Sequence, residues 1–266
     1  MPITVRSKRG ERMQSGQHRF AASQYGARAQ DYVASTVHST GEDLDQIEAA
    51  MRGLSGARVL DLGCGGGHVS YRVAPHVAAV VSCDVTPAML AAVSAEAAAR
   101  GLGNITVRQA AAESLPFPDA SFDVVLCRFT THHWQSMDLG LREARRVLVA
   151  SGLAIFIDTV APADAVLDTH LQAAELLRDA SHVRNYTIAD WEAALSRAGF
   201  AVTGMTQRRL HLAFDSWIAR TRTPPVREAA IRALQTDAPA SVRGYFAIGA
   251  DGSFDIDSVT LVASAV

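Results

Sequence analysis

The chain has 266 residues and 48% hydrophobic content, which suits one large α/β domain with a substantial core better than two small ones. Its 25 basic and 27 acidic residues nearly cancel, so net charge favours neither a nucleic-acid partner nor an anionic membrane surface. No apolar run approaches the roughly 20 residues of a membrane span, and the N-terminus lacks the apolar core of a signal peptide.

The three cysteines give a further indication of the compartment. Cys64, Cys83 and Cys127 each fall at or beside the end of a predicted strand, without C-x-x-C spacing. Free thiols in a reducing environment are the expected state, which predicts a cytoplasmic protein.

The N-terminal segment is predicted to be a tail followed by a helix. Residues 1–16 are polar and basic without periodicity, which predicts a flexible tail ahead of a single domain over residues 17–266. Phe20, Tyr25 and Ala29 then follow at roughly helical spacing. Tyr32 continues this spacing, and we expect it to pack against the sheet.

A second helix is predicted from about Glu42 to Arg52. Leu44, Ile47 and Met51 form one apolar stripe along it, and Thr40 is its expected N-cap. The stripe predicts packing, and no chemistry is assigned to this helix.

The stretch from Val59 to His68 is a short apolar strand that turns through a glycine-rich loop into a helix. Four of the five residues from Gly63 to Gly67 are glycines. A bare backbone of this kind predicts N–H groups facing an open crevice, with no side chains to block a ligand. In a doubly wound sheet, ligands bind outside the carboxyl ends of the strands, where this loop lies.

The spacing of the loop narrows the class of ligand. Counting from Gly63, the third glycine of a dinucleotide fingerprint is replaced by His68, and no lysine follows Gly67 as a phosphate-binding loop requires. Asp84 ends the next apolar run and is placed to accept both hydroxyls of a ribose. The pattern predicts an adenosine without phosphates, and an NAD-dependent oxidoreductase is the weaker alternative.

The next three elements follow the alternating pattern of such a sheet. Thr86 and Pro87 begin a helix that ends near Arg100, and Met89 in its first turn either touches the adenine or packs against the sheet. Two strands are expected over residues 105–109 and 121–127, the latter apolar enough to be buried on both faces.

The strand over residues 121–127 leads into His132 and His133. Neighbouring side chains diverge and no third ligand lies at a usual spacing, so no metal site is predicted. A histidine here is expected to act as a general base or as a hydrogen-bond partner of the substrate. The alternative is that both histidines form hydrogen bonds within their own loop.

The C-terminal part of the chain is predicted to carry the substrate side. Helices are expected over about 163–178 and from the capping-box pair Thr187 and Asp190 to Gly199, within an insertion over about 161–198. Arg184, Asn185 and Tyr186 precede the second helix and hold an anionic or phenolic group, or else form a polar surface loop.

Beyond this insertion, a strand is predicted over residues 201–212, followed by two short helices separated at Pro224 and Pro225. A last strand over 255–263 is expected to form a hairpin with residues 245–248 through the turn at 250–253.

Four blocks of this chain occur in an order and spacing that resemble a known enzyme family. They read VLDLGCGGGHVS, CDVTPAML, AAESLPFPDASFDVVL and LREARRVL. They resemble the class I S-adenosylmethionine (SAM) dependent methyltransferases, most closely the type 11 branch that includes the quinone-biosynthesis C-methyltransferases. The resemblance implies a Rossmann-like, doubly wound, seven-stranded α/β sheet, mostly parallel, with an antiparallel last strand at its edge.

The resemblance also implies the site. The N-terminal helix would form a lid, and His133 matches a His-Trp pair of close relatives, so it is the first choice as catalytic residue and His132 the second. Family members commonly have an acid where this chain has Ala111, so Ala112 and Glu113 are expected to hold the adenine. Arg128 is expected near the methionine carboxylate of SAM, or in a salt bridge with the helix over 138–148. The predicted cofactor contacts are Asp61, Gly63, Cys64, Gly65, Asp84, Val85, Met89, Ala112, Glu113 and Arg128. The predicted substrate contacts are Tyr25, Arg184, Asn185 and Tyr186.

The predicted function is methyl transfer from SAM to an oxygen or carbon of a small organic molecule, by a monomer or homodimer without a nucleic-acid or membrane partner. A protein that binds SAM without transferring a methyl group is the second alternative.

Overall fold

The computed structural model describes residues 16–26, 28–29 and 40–266. The predicted tail lies almost entirely outside these residues, as does Tyr32.

One seven-stranded sheet organises the molecule. Its strands run in the order β3-β2-β1-β4-β5-β7-β6, with β7 antiparallel to both of its neighbours and the other pairs parallel. This is the predicted Rossmann-like fold. The strands are β1 Arg58–Leu62, β2 Ala79–Asp84, β3 Ile105–Gln109, β4 Phe122–Arg128, β5 Leu148–Val160, β6 Phe200–Leu212 and β7 Phe254–Ala265.

The last strand lies inside the sheet, so its predicted position at the edge is wrong. β7 pairs with β5 on one side and with β6 on the other, and β6 forms the edge. Burial explains the order, because Val259, Leu261 and Ala263 of β7 are fully buried, whereas alternate residues of β6 are exposed to solvent. An amphipathic strand tolerates an edge position better than a buried one does.

The helices cover both faces of the sheet and its C-terminal end. They are α1 Gly16–Gly26, α2 Glu42–Met51, α3 His68–Val73, α4 Pro87–Ala99, α5 Met137–Val147, α6 Ala165–Arg178, α7 Ile188–Ala198, α8 Phe214–Thr221, α9 Pro225–Thr236 and α10 Ala240–Tyr245. No helix among the described residues is long and apolar enough to cross a membrane.

Local signals at the helix ends are confirmed in two places and wrong in one. Thr187 and Asp190 form both hydrogen bonds of the capping box, and α7 ends at Gly199. Thr86 holds the N-cap position of α4, with Pro87 at the first helical position, but its side chain makes no capping hydrogen bond. The N-cap of α2 is Gly41, without a capping side chain, so Thr40 does not cap this helix.

The hairpin predicted before β7 is replaced by helix α10 and a tight turn. The N–H of Gly249 donates to the carbonyl of Ser253, and that of Asp255 to the carbonyl of Phe246, so the chain does reverse here. Residues 245–248 form no strand, because Phe246 is buried in an apolar cluster with α6, α8 and β7 and has no strand beside it.

The predicted insertion over 161–198 divides between two environments. Trp191 and Leu195 of α7 are buried in the main core beside Phe156, so α7 belongs to the helical layer of the sheet. Leu171 and Ala174 of α6 belong instead to the cluster that covers the end of β6 and β7. The segment from 161 to about 187 is therefore the part that stands over the crevice.

Candidate active site

A cavity of about 720 Å³ opens at the carboxyl ends of the strands. Its volume falls within the range of roughly 300–1,000 Å³ that is usual for small-molecule sites. Ala112 and Glu113 line a smaller hollow of about 50 Å³, which shares Gly63, Asp84 and Val85 with the main cavity. The other predicted cofactor residues line the main cavity: Asp61, Gly63, Cys64, Gly65, Asp84, Val85, Met89 and Arg128.

The glycine loop needs its glycines for two different reasons. Gly63, Gly65 and Gly67 have φ values of 74°, 49° and 82°, which L residues rarely adopt. A Cβ at Gly63 would lie 2.4 Å from the hydroxyl of Thr130, so this position is needed for packing. A Cβ at Gly65 would meet nothing within 4 Å, so Gly65 leaves space for a ligand to approach the backbone.

Four N–H groups of this loop form hydrogen bonds within the protein, although the sequence predicted that they would face the crevice. Those of Gly63 and Cys64 donate to the carbonyl of Cys83, over 2.8 and 2.9 Å, and that of Gly67 to the carbonyl of Cys64. The N–H of Gly65 donates to Asp84 Oδ2 over 3.0 Å. Three of these donors thus bond to the end of β2, and that of Gly67 bonds within the loop. A phosphate needs such donors free, so the loop suits a ligand without phosphates.

Two carboxylates flank the loop. Asp84 accepts from the N–H of Gly65 over 3.0 Å and from that of Thr86 over 2.8 Å, and its side chain lines the cavity. Asp61 accepts from the N–H and hydroxyl of Ser70 over 3.1 and 2.6 Å. Burial raises the pKa of Asp84 above its ordinary value and that of Asp61 to about 6.

Arg128 forms an ion pair with a helix other than the one predicted. Its Nε lies 2.5 Å from Asp43 of α2, and both side chains are largely buried in the cavity wall. The predicted salt bridge with the helix over 138–148 is therefore wrong, because the end of β4 turns Arg128 toward α2.

His132 forms a buried dyad with Asp158. Its Nδ1 lies 2.6 Å from Asp158 Oδ1, and its backbone N–H donates to the other oxygen of the same carboxylate. Burial disfavours the charged imidazole, but the charge and hydrogen bond of Asp158 outweigh it and raise the pKa of His132. Asp158 thus places the proton of the neutral ring on Nδ1 and leaves Nε2 as the basic nitrogen in the cavity wall.

Each ring nitrogen of His133 lies close to a polar atom of another segment. Nε2 lies 2.9 Å from the hydroxyl of Tyr25, and Nδ1 lies 3.2 Å from the carbonyl oxygen of Ser181. The same tyrosine hydroxyl donates to Asp179 over 2.5 Å. Burial lowers the pKa of His133 to about 4. The neutral ring has one proton, and because the tyrosine hydroxyl donates its own to Asp179, Nε2 carries that proton and Nδ1 does not donate to the carbonyl of Ser181. Neither histidine is satisfied within its own loop, and the geometry favours His132 over His133 as a base.

The imidazoles of His132 and His133 lie with ring centres 4.2 Å apart. In the part of the chain that the structure describes, no group of three or more His, Cys, Asp or Glu side chains is placed to hold a metal ion. The three cysteines are buried with free thiols.

The predicted substrate residues do not meet in one place. Tyr25 lines the cavity, as does Asn185, which accepts from the hydroxyl of Thr159 over 2.6 Å. Arg184 instead forms an ion pair with Asp168 and is half exposed, and Tyr186 packs against the main core. The segment pairs with the end of β5 through Val160 and Tyr186, so successive side chains point to different sides.

Sequence reasoning missed the far wall of the cavity. This wall is formed by the end of β6 together with residues of α6 and α8, among them Arg208, Leu212, Glu175, Arg178 and Trp217. These positions carry no local motif and are far from the glycine loop in the chain, so no signal in the sequence pointed to them.

Comparison with known proteins assigns the family. The model of the family described as "Methyltransferase domain", type 11, matches residues 60–156. The uncharacterized methyltransferase YcgJ of Bacillus subtilis (strain 168) is 36% identical over 220 residues, which are 83% of this chain and 87% of YcgJ. The chain belongs to the class I SAM-dependent methyltransferases of type 11.

Other relatives and solved structures match most of this methyltransferase. The uncharacterized protein YafE of Escherichia coli (strain K12) is 43% identical over 197 residues, 74% of this chain and 95% of YafE. The crystal structure of YcgJ superposes with a TM-score of 0.81 at 33% identity, covering 84% of this chain and 98% of that one. A putative methyltransferase from Bacillus halodurans C-125 superposes equally well, with a TM-score of 0.81 at 30% identity.

The site of this methyltransferase fits the cofactor of its family. Open space at Gly65 admits an adenosyl group, and the buried carboxylates of Asp61 and Asp84 line the same cavity. Two carboxylates in one cavity suit a ligand that carries hydroxyls and positive charge.

Proposed function

We propose that this methyltransferase methylates an oxygen or an activated carbon of a small organic molecule, with His132 as the general base. The observation that carries the proposal is the His132–Asp158 dyad, 2.6 Å between its polar atoms, in the wall of the cavity that the glycine loop also lines.

The cofactor is proposed to lie along the glycine loop. Asp84 would accept the ribose hydroxyls, and Asp61 would bind the positively charged methionine end. The small hollow lined by Ala112 and Glu113 would receive the adenine. When bound, SAM supplies an electrophilic methyl group, so the protein chiefly aligns the acceptor and excludes water.

The dyad explains why oxygen and carbon acceptors are favoured. A hydroxyl or an acidic C–H must lose a proton as it becomes a nucleophile, and His132 Nε2 is the basic nitrogen available in the cavity wall. Asp158 holds the ring and stabilises the imidazolium that forms, the role of the carboxylate in other carboxylate–histidine pairs. A neutral amine needs no such base before it attacks.

Tyr25 is proposed to close the site. Its hydroxyl joins α1 to His133 and Asp179, which holds this helix across the crevice. Closure of this kind excludes water from the reacting groups. His133 is thus proposed to position the lid, and the enclosed space suits a small acceptor better than a nucleic acid or a protein.

The acceptor can be identified directly. The protein would be incubated with SAM radiolabelled in its methyl group and with a metabolite extract, and the labelled product analysed by mass spectrometry. Label on an oxygen or carbon of a small molecule supports the proposal. Label on nitrogen, protein or nucleic acid contradicts it.

A further inference from the structure

The far half of the cavity is apolar along one face of the β6–β7 pair. Leu210 lies directly opposite Ile256 in this pair, and Leu212 packs in the same cluster as the buried Trp217. All four residues line the cavity. This half of the site therefore suits the apolar body of a ligand.

Arg208 lies on the same face of β6 and carries a positive charge into this apolar region. Its side chain is only 16% exposed. Nη1 donates to the hydroxyl of Thr260 over 2.8 Å, and Nη2 to the amide oxygen of Gln46 over 2.6 Å. Both acceptors are neutral, so they orient the guanidinium without neutralising it.

The nearest carboxylate compensates this charge poorly. Glu42 lies 3.6 Å from Nε, and its side chain is 87% exposed. Among the described residues, no hydrogen bond reaches Nε. Water and salt screen an ion pair with so exposed a partner, whereas buried charges are normally paired with buried partners.

Two other arginines of the cavity wall have such buried partners. Arg128 pairs with Asp43, and Arg178 pairs with Glu175, with both members of each pair largely buried. Arg208 thus differs from these neighbours in lacking a buried carboxylate of its own among the described residues.

The position of Arg208 sets its distance from the proposed base. In the sheet, Arg208 lies opposite Ser258, and Ser258 lies opposite Thr159, which directly follows Asp158. Two strand spacings separate the backbones of Arg208 and Thr159, which is about 10 Å. A group bound by Arg208 therefore lies several bonds away from a group that reacts at the dyad.

We propose that the methyl acceptor is an amphipathic anion, whose carboxylate or phosphate binds Arg208 while its apolar body lies along Leu210, Ile256 and Trp217. This inference rests on the proposed function, because it assigns the substrate class of the same site. The anionic group is an anchor and is not itself methylated, so the product keeps its negative charge.

Binding of simple probes tests the anchor. Octanoate, octyl phosphate and neutral octanol would each be titrated by calorimetry into the protein saturated with S-adenosylhomocysteine. We expect at least one anionic probe to bind about tenfold or more tightly than octanol, as a charge-assisted pair requires. The anionic probe with the lower Kd shows whether Arg208 prefers a carboxylate or a phosphate.

Matched variants assign the preference to Arg208. Arg208→Gln should abolish it, and Arg208→Lys should keep part of it, with S-adenosylhomocysteine affinity unchanged in both. Arg197→Gln, which removes an exposed arginine paired with Asp138, should change nothing. The inference is overturned if no anionic probe outbinds octanol in the unchanged protein, or if Arg208→Gln keeps the preference.

The reaction itself gives a second readout. The labelled product from the metabolite extract should be retained by an anion-exchange resin at neutral pH, and a product that passes through would overturn the inference. Failure of the protein to bind S-adenosylhomocysteine would instead contradict the proposed function. In that case the three probes, titrated into the protein alone, still decide whether Arg208 binds anions.

Discussion

At the scale of single residues, two adjacent histidines acquire opposite properties from their partners. The pKa of His132 is raised because Asp158 stabilises its charged form, whereas burial lowers that of His133 to about 4. The difference supports their proposed roles, since near neutral pH a ring with a raised pKa binds a proton more readily than a ring whose pKa is about 4.

The first prediction concerns the proposed base. His132→Gln should lower kcat by about 10²- to 10⁴-fold while the affinity for S-adenosylhomocysteine stays nearly constant, because the ring acts on the acceptor. Activity of the unchanged enzyme should rise with pH through the raised pKa of His132, since the base must be neutral. Steady-state kinetics over pH measure both effects.

Two further variants make this test specific. Asp158→Asn should shift the pH profile to lower pH, because the charge that raises the pKa of His132 is lost. His76→Gln, in a half-exposed ion pair with Glu48, should leave kinetics unchanged. Equal losses of kcat and of cofactor affinity in His132→Gln would show that this residue is not a base.

The second prediction concerns Asp61, whose pKa burial raises to about 6. If its ionised form binds the positive end of SAM, the dissociation constant of SAM should rise as the pH falls through about 6, because the carboxyl group becomes protonated. The folding stability of the protein without SAM should depend on pH in the opposite direction. The raised pKa of Asp61 stabilises the fold at low pH, and this contribution is lost as the pH rises through about 6. Calorimetric titration with SAM over pH gives the profile, and Asp61→Asn should flatten it.

The third prediction concerns the proposed hydrogen bonds between Asp84 and the ribose of SAM. Asp84→Asn should weaken SAM binding by about 1–3 kcal/mol, because a charged acceptor of the ribose hydroxyls becomes a neutral one. The asparagine has one acceptor oxygen, so it can accept from the N–H of Gly65 or of Thr86 but not from both, and an unchanged Tm of the variant without ligand would show that the fold is kept. Unchanged affinity would refute the assignment of Asp84 to the ribose.

At the scale of elements, helix α1 is joined to the rest of the molecule by side chains from three of its positions. Gln17 donates to the carbonyl of Ser181, His18 lies 3.1 Å from Glu113, and Tyr25 reaches His133 and Asp179. These contacts span both sides of the crevice, so α1 can act as a lid only while they persist.

The fourth prediction tests this lid. Tyr25→Phe removes a hydrogen bond to a carboxylate, worth about 1.5–3 kcal/mol, so α1 should open more often. Hydrogen exchange measured by mass spectrometry should become faster over residues 16–26. Tyr186→Phe is the matched control, because the hydroxyl of Tyr186 makes no hydrogen bond within the described residues. Equal exchange in the two variants would contradict the proposed role of Tyr25.

At the scale of the whole molecule, the sheet and the layers around it enclose the cavity between two walls. The glycine loop and its carboxylates lie at the ends of β1 and β2, whereas β6, α6 and α8 form the opposite wall. Because the proposed cofactor site exists only when the strands and the loop are folded together, ligand binding there should stabilise the fold.

The fifth prediction follows from this arrangement. S-adenosylhomocysteine at about a hundred times its Kd should stabilise the protein by about 2.7 kcal/mol, which corresponds to a rise in Tm of roughly 5–10 °C for a chain of this size. NAD should give no comparable rise in Tm, since its phosphates would need backbone N–H donors and four of those in the loop are bonded within the protein. Differential scanning fluorimetry compares the two, and a larger shift with NAD would contradict the cofactor assignment.

The sequence by itself determined the features that depend on neighbours in the chain. The glycine loop, the acid at the end of β2, the capping box of α7 and most strand bounds follow from local propensities, which act over a few residues. Three of the wrong predictions, namely the edge position of β7, the strand at 245–248 and the salt bridge of Arg128, required knowledge of what lies beside a segment, whereas the cap expected at Thr40 was a local signal that failed.

Only the tertiary structure decided how the site works. The pairs that define it join Tyr25 to Asp179, 154 residues away, and Gln46 to Arg208, 162 residues away. Likewise, Asp158 near the end of β5 becomes the partner of His132 only because β4 and β5 are neighbours in the sheet. Such contacts depend on how the strands are ordered, and strand order results from burial of the whole core, which no local pattern encodes.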